Sequence, residues 1–282
     1  MKITNKYNLP DAIVRAVTND PYLDSYNGRK ADISATRLIA PARLVALQKK
    51  HADEIEEDVS DRIWSLLGTA VHHVIERATS DSDRTEERMF EEIGGWTIAG
   101  QFDLLSDGTL YDYKVTSVWS VLDGAKDDWV NQLNILDYLV GGVDKLAIIA
   151  ILKDWSWRRV KGNYPKEQVV EIPIPQWSRE EQKAYILERI RKHQIAQDIL
   201  SLGGEPAICI DRWQRPDVYA VMKEGRKSAV KLCDTEKDAQ SRVDNLSNKH
   251  YVQFRKGEAV RCDSRYCNVS KFCIYKEQKD GV

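Results

Sequence analysis

The sequence predicts an α/β protein whose core is a mixed β-sheet flanked by helices, with a small C-terminal α+β appendage rich in cysteine. Three observations lead there. Hydrophobic periodicity changes from about 3.6 residues to about 2 near residue 87 and returns to the longer period near 127, so strands and helices are interleaved. Leu146-Ala147-Ile148-Ile149-Ala150-Ile151-Leu152 is an unbroken apolar run, as expected of a strand covered on both faces. All five cysteines, Cys209, Cys233, Cys262, Cys267 and Cys273, fall in the last part of the 282-residue chain.

The first thirty residues have no clear period beyond a short amphipathic stretch at Asp11 to Thr18. A helical pattern begins at Ser34 with Leu38, Ala42, Leu44, Val45 and Leu47, and a charged stretch follows to Asp61. The next helix, Ile63 to Ala78, carries an apolar stripe of Ile63, Leu66, Leu67, Ala70, Val71, Val74 and Ile75. Short strands are then expected at 87–93, 96–100, 101–105 and 110–115, with Gly94-Gly95 and Asp107-Gly108 as hairpin turns. A helix at about 127–140, the apolar strand, a strand at 168–174 and a long helix from the Ser178 cap to Leu200 complete the main body. Beyond Gly203-Gly204, three short strands at 218–222, 229–232 and 251–254 surround a polar helix at about 235–248. This gives three regions: an N-terminal helical segment (1–61), a core (62–202) and a Cys-rich C-terminal region (203–282).

Composition excludes several classes. With 15 Gly, 8 Pro and ample aromatics (8 Trp, 12 Tyr, 4 Phe), the chain is neither collagenous nor disordered. No apolar run approaches the roughly 20 residues of a membrane helix, and no signal-peptide segment follows Met1 to Lys6, so a cytoplasmic chain without a membrane partner is expected. Net charge is −2, which argues against coating nucleic acid by charge alone. The sum hides an asymmetry: residues 220–282 hold 14 basic and 9 acidic side chains, against 28 and 35 in 1–219.

The residues that carry chemistry lie in the core. His72 and Glu76 are four apart and project from one face of a helix. Asp103 sits in a strand, and after the Asp107-Gly108 turn Asp112 and Lys114 share one face of the next strand. Two carboxylates on neighbouring strands are costly to bury without a partner, and a divalent cation supplies one. Oxygen donors with a helix-borne His or Glu suit Mg²⁺ or Mn²⁺, which would acidify a water and offset phosphodiester charge while a lysine steadies the developing oxyanion. The acid-x-Lys pattern recurs at Glu181/Lys183 and Glu277/Lys279, but without a preceding strand Asp.

In order, Gly68-x-x-x-His72-x-x-x-Glu76, Gly100-x-x-Asp103, Asp112-x-Lys114 and a helix containing Gln132 resemble the PD-(D/E)XK nuclease superfamily, within its RecB-like branch of phage exonucleases and CRISPR-adaptation nucleases. The resemblance spans roughly 34–152. It implies a restriction-endonuclease-like fold in which His72, Asp103, Asp112 and the Tyr113 carbonyl hold the metal and Lys114 is the catalytic lysine. Glu76 is the helix acid of that pattern, standing behind the ligands or at a second ion, and Gln132 matches the family's Gln-x-x-x-Tyr glutamine. The pattern's Tyr position is Leu136 here, with Tyr138 two residues on as the substitute DNA contact. The implied function is a Mg²⁺/Mn²⁺-dependent deoxyribonuclease, exonucleolytic, working on single- or double-stranded DNA with phage or host recombination and replication proteins, in the bacterial cytoplasm if phage-encoded. A non-catalytic nucleic-acid-binding or assembly protein and a restriction-type endonuclease are the alternatives.

Cys262, Cys267 and Cys273 fall within twelve residues, and in a cytoplasmic protein such a cluster reads as metal ligation, with Cys209 the best fourth ligand. RecB-like relatives hold a 4Fe-4S cluster with three C-terminal cysteines and one that precedes the core, whereas this chain has none before 209. Iron-sulfur, zinc and unligated thiols therefore stay open. Trp155-Ser156-Trp157-Arg158-Arg159-Val160-Lys161 interleaves rings and cations, suiting either bases and phosphates, with Trp157, Arg158 and Arg159 as DNA contacts, or a loop packed under its own tryptophans.

Overall fold

A computed structural model describes residues 2–18, 30–80, 82–246, 249–263 and 265–275. The chain forms two compact units, Met1–Ala207 and Ile208–Val282. The first begins with β1 (Lys2–Thr4), α1 (Asp11–Thr18), β2 (Ile33–Ser34), α2 (Ala35–Ile39), α3 (Ala42–Lys50), β3 (Glu56–Asp58) and α4 (Ile63–Glu76). Next come β4 (Arg84–Thr85), β5 (Arg88–Ile93), β6 (Trp96–Gln101), β7 (Leu104–Ser106) and β8 (Thr109–Thr116). It closes with α5 (Asp127–Val140), β9 (Lys145–Leu152), β10 (Val169–Ile174) and α6 (Arg179–Ser201). The N-terminal region is thus not only helical, since β1 and β3 pair in parallel within it.

A five-stranded mixed sheet in the order β10-β9-β8-β7-β4 forms the core, and β2-β6-β5 make a second sheet. The parallel pair β8 and β9 is linked by α5, a βαβ crossover. The apolar run is β9, an inner strand flanked by β10 and β8, with Leu146, Ile148, Ala150 and Leu152 all buried. α5 starts with Asp127 and Asp128, which favour the positive end of the helix dipole, and stops at Gly141, whose φ of 100° is the left-handed cap that glycine adopts without strain. α6 starts from a Ser178/Glu181 capping box. Leu133, Leu136, Ile186 and Ile190 of these helices pack with Ile98, Phe102 and Ile148 in one buried cluster. Gly100 is where α5 comes closest: a Cβ there would lie 2.6 Å from both Leu136 Cδ2 and Leu139 Cδ1.

α4 departs from the sequence expectation. Its stripe predicts a core-facing helix, yet none of its residues is buried, and Trp64 and Val74 are 63% and 68% exposed. The helix rests against β8 and leaves much of its apolar surface in solvent.

His193 of α6 is a buried imidazole. Its Nε2 donates to the Leu38 carbonyl at 3.0 Å, while Nδ1 is buried with no hydrogen-bond partner. Burial holds its pKa below the ordinary imidazole value, against the raising effect of the Leu38 carbonyl. The unfolded chain takes up this proton near pH ~6.5 and the folded chain resists it, so stability present above that pH is lost as pH falls below it. The urea midpoint should decline from about pH 7 to about pH 5 in wild type and less steeply in His193→Gln, which keeps a donor for Leu38.

The second unit is a three-stranded antiparallel sheet, β11 (Val218–Lys223), β12 (Lys231–Cys233) and β13 (His250–Arg255), in the order β12-β11-β13. α7 (Glu236–Asp244) covers one face, burying Val221, Cys233 and Ala239. The expected end of that helix at Ser247 and Asn248 lies outside the described residues.

Candidate active site

The site forms where the break between two expected strands, 96–100 and 101–105, falls two residues later than expected and leaves Asp103 outside both. β6 ends at Gln101 in the smaller sheet and β7 begins at Leu104 in the larger, so Asp103 occupies the turn by which the chain passes between sheets. β7 pairs with β8 only over Leu104–Ser106 and Thr109–Tyr111. Two residues farther along β8, Tyr113 has backbone groups with no strand beside them on that edge. Side chains take them instead: the Tyr113 N–H donates to Asp103 Oδ2 at 2.7 Å, and the Tyr113 carbonyl accepts from His72 Nε2 at 3.1 Å. Because a carbonyl only accepts, that nitrogen carries a proton.

The other edge of His72 faces two acids. Nδ1 is 3.4 Å from Asp103 Oδ1 and 3.8 Å from Glu86 Oε1. Bonding to Asp103, and then to Glu86, pushes the His72 pKa up to about 10 against the opposing effect of burial. Among the described residues, His72, Glu86 and Asp103 are the one set of three or more His, Cys, Asp or Glu whose donor atoms lie within 4.8 Å of one another. Glu86 was not among the sequence candidates. It has a φ of 51°, a left-handed conformation costly for a side-chain-bearing residue, and Gln101 Nε2 bonds its Oε2. No spacing rule marks a glutamate in a turn between strands, and the acid that does stand at helical spacing, Glu76, pairs at 3.4 Å with His73 on the same helix.

Beside this set lies a second, more buried one. Asp112 is 3% exposed, and its Oδ2 is 2.6 Å from Lys114 Nζ. That contact is an ion pair outside hydrogen-bond geometry, since Oδ2 has no hydrogen-bond donor. Gln132 of α5 bridges the pair, donating to Asp112 Oδ1 at 3.1 Å and accepting from Lys114 Nζ at 3.5 Å. Burial raises the Asp112 pKa, Lys114 opposes it, and the neighbouring Asp103 charge adds to it.

These observations test whether a divalent ion fits. The donors are carboxylate, imidazole and carbonyl, the set hard cations and Mn²⁺ accept. The His72 ring lies within 3.8 Å of the Asp103 and Glu86 carboxylates, and the buried Asp112 carboxylate beside them has Lys114 as its ion-pair partner, so a bound cation would offset the gathered acidic charge. The residues fit. His72, Glu86, Asp103 and Asp112, with the Tyr113 carbonyl, would hold the ion.

Other expectations fare differently. Tyr138, expected at the DNA, is a correction: it is 9% exposed with the Arg179 guanidinium 3.9 Å from its ring centroid. Six residues on from Gln132, at about 100° per residue, it points roughly 120° away from it. Trp155 is packed against the core, its indole donating to the Pro165 carbonyl at 2.9 Å, whereas Trp157 is 70% exposed with Arg158 5.4 Å from its ring centroid. Glu277 and Lys279 lie outside the described residues. In the second unit Cys267 is pushed up by burial, accepts the Val269 N–H, and feels the charges of both Cys262 and Cys273, so these three lie in one neighbourhood. No helix among the described residues is long and apolar enough to cross a membrane.

No protein-family model matches the chain, and no curated protein matches it. Among solved structures, SSO0001 is similar at a TM-score of 0.46 and 16% identity, over 66% of this chain and 84% of that one. The alkaline exonuclease LHK-Exo from Laribacter hongkongensis gives 0.40 and 11%, over 60% and 91%. A phage-related exonuclease from Haemophilus somnus 129PT gives 0.31 and 14%, over 68% and 82%. Likeness of this degree assigns no activity.

Proposed function

We propose that this protein is a metal-dependent deoxyribonuclease, acting from DNA ends, whose reaction centre is the junction of β7 and β8. The observation that carries the reading is the group of buried Asp112 with the half-buried Lys114 and Gln132, beside the converging His72, Glu86 and Asp103. Those three converging residues would hold a Mg²⁺ or Mn²⁺ ion, which when bound would supply Lewis acidity toward the phosphodiester and toward water. Lys114 is held by Asp112 and Gln132, and its side chain is 27% exposed, so the ammonium is fixed in a partly open position. There it stabilises the extra negative charge of the five-coordinate phosphorus as water adds and the leaving oxygen departs. Gln132 acts through Lys114 by orienting it, and Asp112 both orients the lysine and would help to hold the ion.

End-labelled linear DNA, single- and double-stranded, and closed circular DNA, incubated with Mg²⁺, Mn²⁺ or EDTA, test the reading. Metal-dependent loss of both linear forms with the circle intact is the expected result; intact DNA in every metal overturns the nuclease, and a cut circle overturns action from ends.

The same proposal gives Cys262, Cys267 and Cys273, with Cys209, a metal centre of the iron-sulfur or zinc type in the second unit, supported by the shared neighbourhood of the three thiols and the N–H aimed at Cys267. Purified protein should carry iron or zinc in stoichiometric amount and lose it on Cys267→Ser; metal-free wild type overturns it.

A further inference from the structure

Three tryptophans stand in solvent around the site. Trp64 at the start of α4 is 63% exposed, Trp119 is 69% and Trp157 is 70%. Indoles are ordinarily covered by the fold, and a group of them left outside marks a contact surface. They lie on three segments that the parallel pair β8/β9 gathers at its C-terminal end. Thr116, the last residue of β8, accepts from the Lys153 N–H at 2.9 Å, and Val118, next to Trp119, donates its N–H to Asp154 Oδ1 at 2.7 Å. The Lys153 ammonium lies 3.7 Å from the Trp64 ring centroid, tying α4 to the same rim. Trp157 follows in a short 3-10 turn with Arg158 and Arg159. Rings and cations therefore alternate along the rim, and Lys114 lies two residues before Thr116 on the same strand.

The geometry points to a single-strand collar: Trp64, Trp119 and Trp157 stack on unpaired bases of a DNA end while Lys153, Arg158 and Arg159 hold its phosphates, so that one separated strand is led to Lys114. Stacking needs an exposed base face, which a closed duplex does not offer, and every base has one, so the collar is tolerant of sequence. What happens to the strand at Lys114 rests on the nuclease reading; the binding does not.

Fluorescence anisotropy on the full chain, with Asp103→Asn as background in Mg²⁺ so that DNA stays intact, separates the two. The probes are a labelled single strand, a duplex with a single-stranded overhang and a dumbbell duplex closed at both ends by non-nucleotide linkers, so that it holds no unpaired base. Each of Trp64→Ala, Trp119→Ala and Trp157→Ala should weaken the single strand and overhang about tenfold or more and the dumbbell less than about twofold, with Phe at the same position restoring most of the loss. The rings lie outside the core, and unchanged thermal unfolding checks that the variants fold. Unchanged single-strand binding in the Ala variants, or equal weakening of the dumbbell, overturns the collar. Wild type that cuts no DNA but binds single strands through the three rings removes the nuclease reading and supports the collar.

Discussion

Lys114→Ala is expected to slow DNA hydrolysis by about 10²- to 10³-fold, the usual cost of losing one preorganised charge-stabilising donor. The residue cannot be replaced by solvent, because Asp112 and Gln132 fix the ammonium from within the fold. Lys114→Arg should not rescue, since a planar guanidinium does not occupy the position of a compact ammonium 2.6 Å from a buried carboxylate. Removing the lysine also strands Asp112, which is 3% exposed, without its cation. A stability loss of about 1–3 kcal/mol follows from the unsatisfied buried acceptor. Asp112→Asn combined with Lys114→Met leaves no buried charge unpaired and should recover stability while staying inactive. A denaturant titration and a rate measurement on the single and double variants separate the lysine's part in the fold from its part in the reaction.

The second large effect is stabilisation by metal. An ion that binds the folded chain and not the unfolded one adds about 2.7 kcal/mol at one hundred times its dissociation constant. Mn²⁺ should therefore raise the thermal midpoint of wild type. Asp103→Asn and Glu86→Gln should abolish the rise, because each removes one of the converging carboxylates. Glu76→Gln should keep it, because that acid is engaged with His73. A rise lost with Glu76 and kept without Glu86 would reverse the assignment of the helix acid.

How much of this is legible in the sequence differs residue by residue. Asp112 and Lys114 are readable because a strand has a fixed period of two, and the structure puts both beside Gln132. His72 is readable from helical spacing, and it reaches Asp103. The position of Asp103 is not, because alternation cannot show that a chain leaves one sheet and enters another between Gln101 and Leu104. Glu86 is illegible for a related reason: its left-handed backbone aims the side chain, and glutamate carries no turn signature that would announce it. Tyr138 shows the opposite error, a motif followed past the point where helical geometry supports it, into the core under Arg179. The stripe of α4 reads as core and is surface, since amphipathicity says that a face wants covering without saying by what.

The most direct test is the hydrolysis of end-labelled linear DNA by wild type and Asp103→Asn, run side by side in Mn²⁺ and in EDTA. Progressive release of label by wild type in Mn²⁺, none in EDTA and none by Asp103→Asn in either is the predicted result; degradation by Asp103→Asn at the wild-type rate, or by wild type in EDTA, would contradict a metal-dependent reaction at this junction.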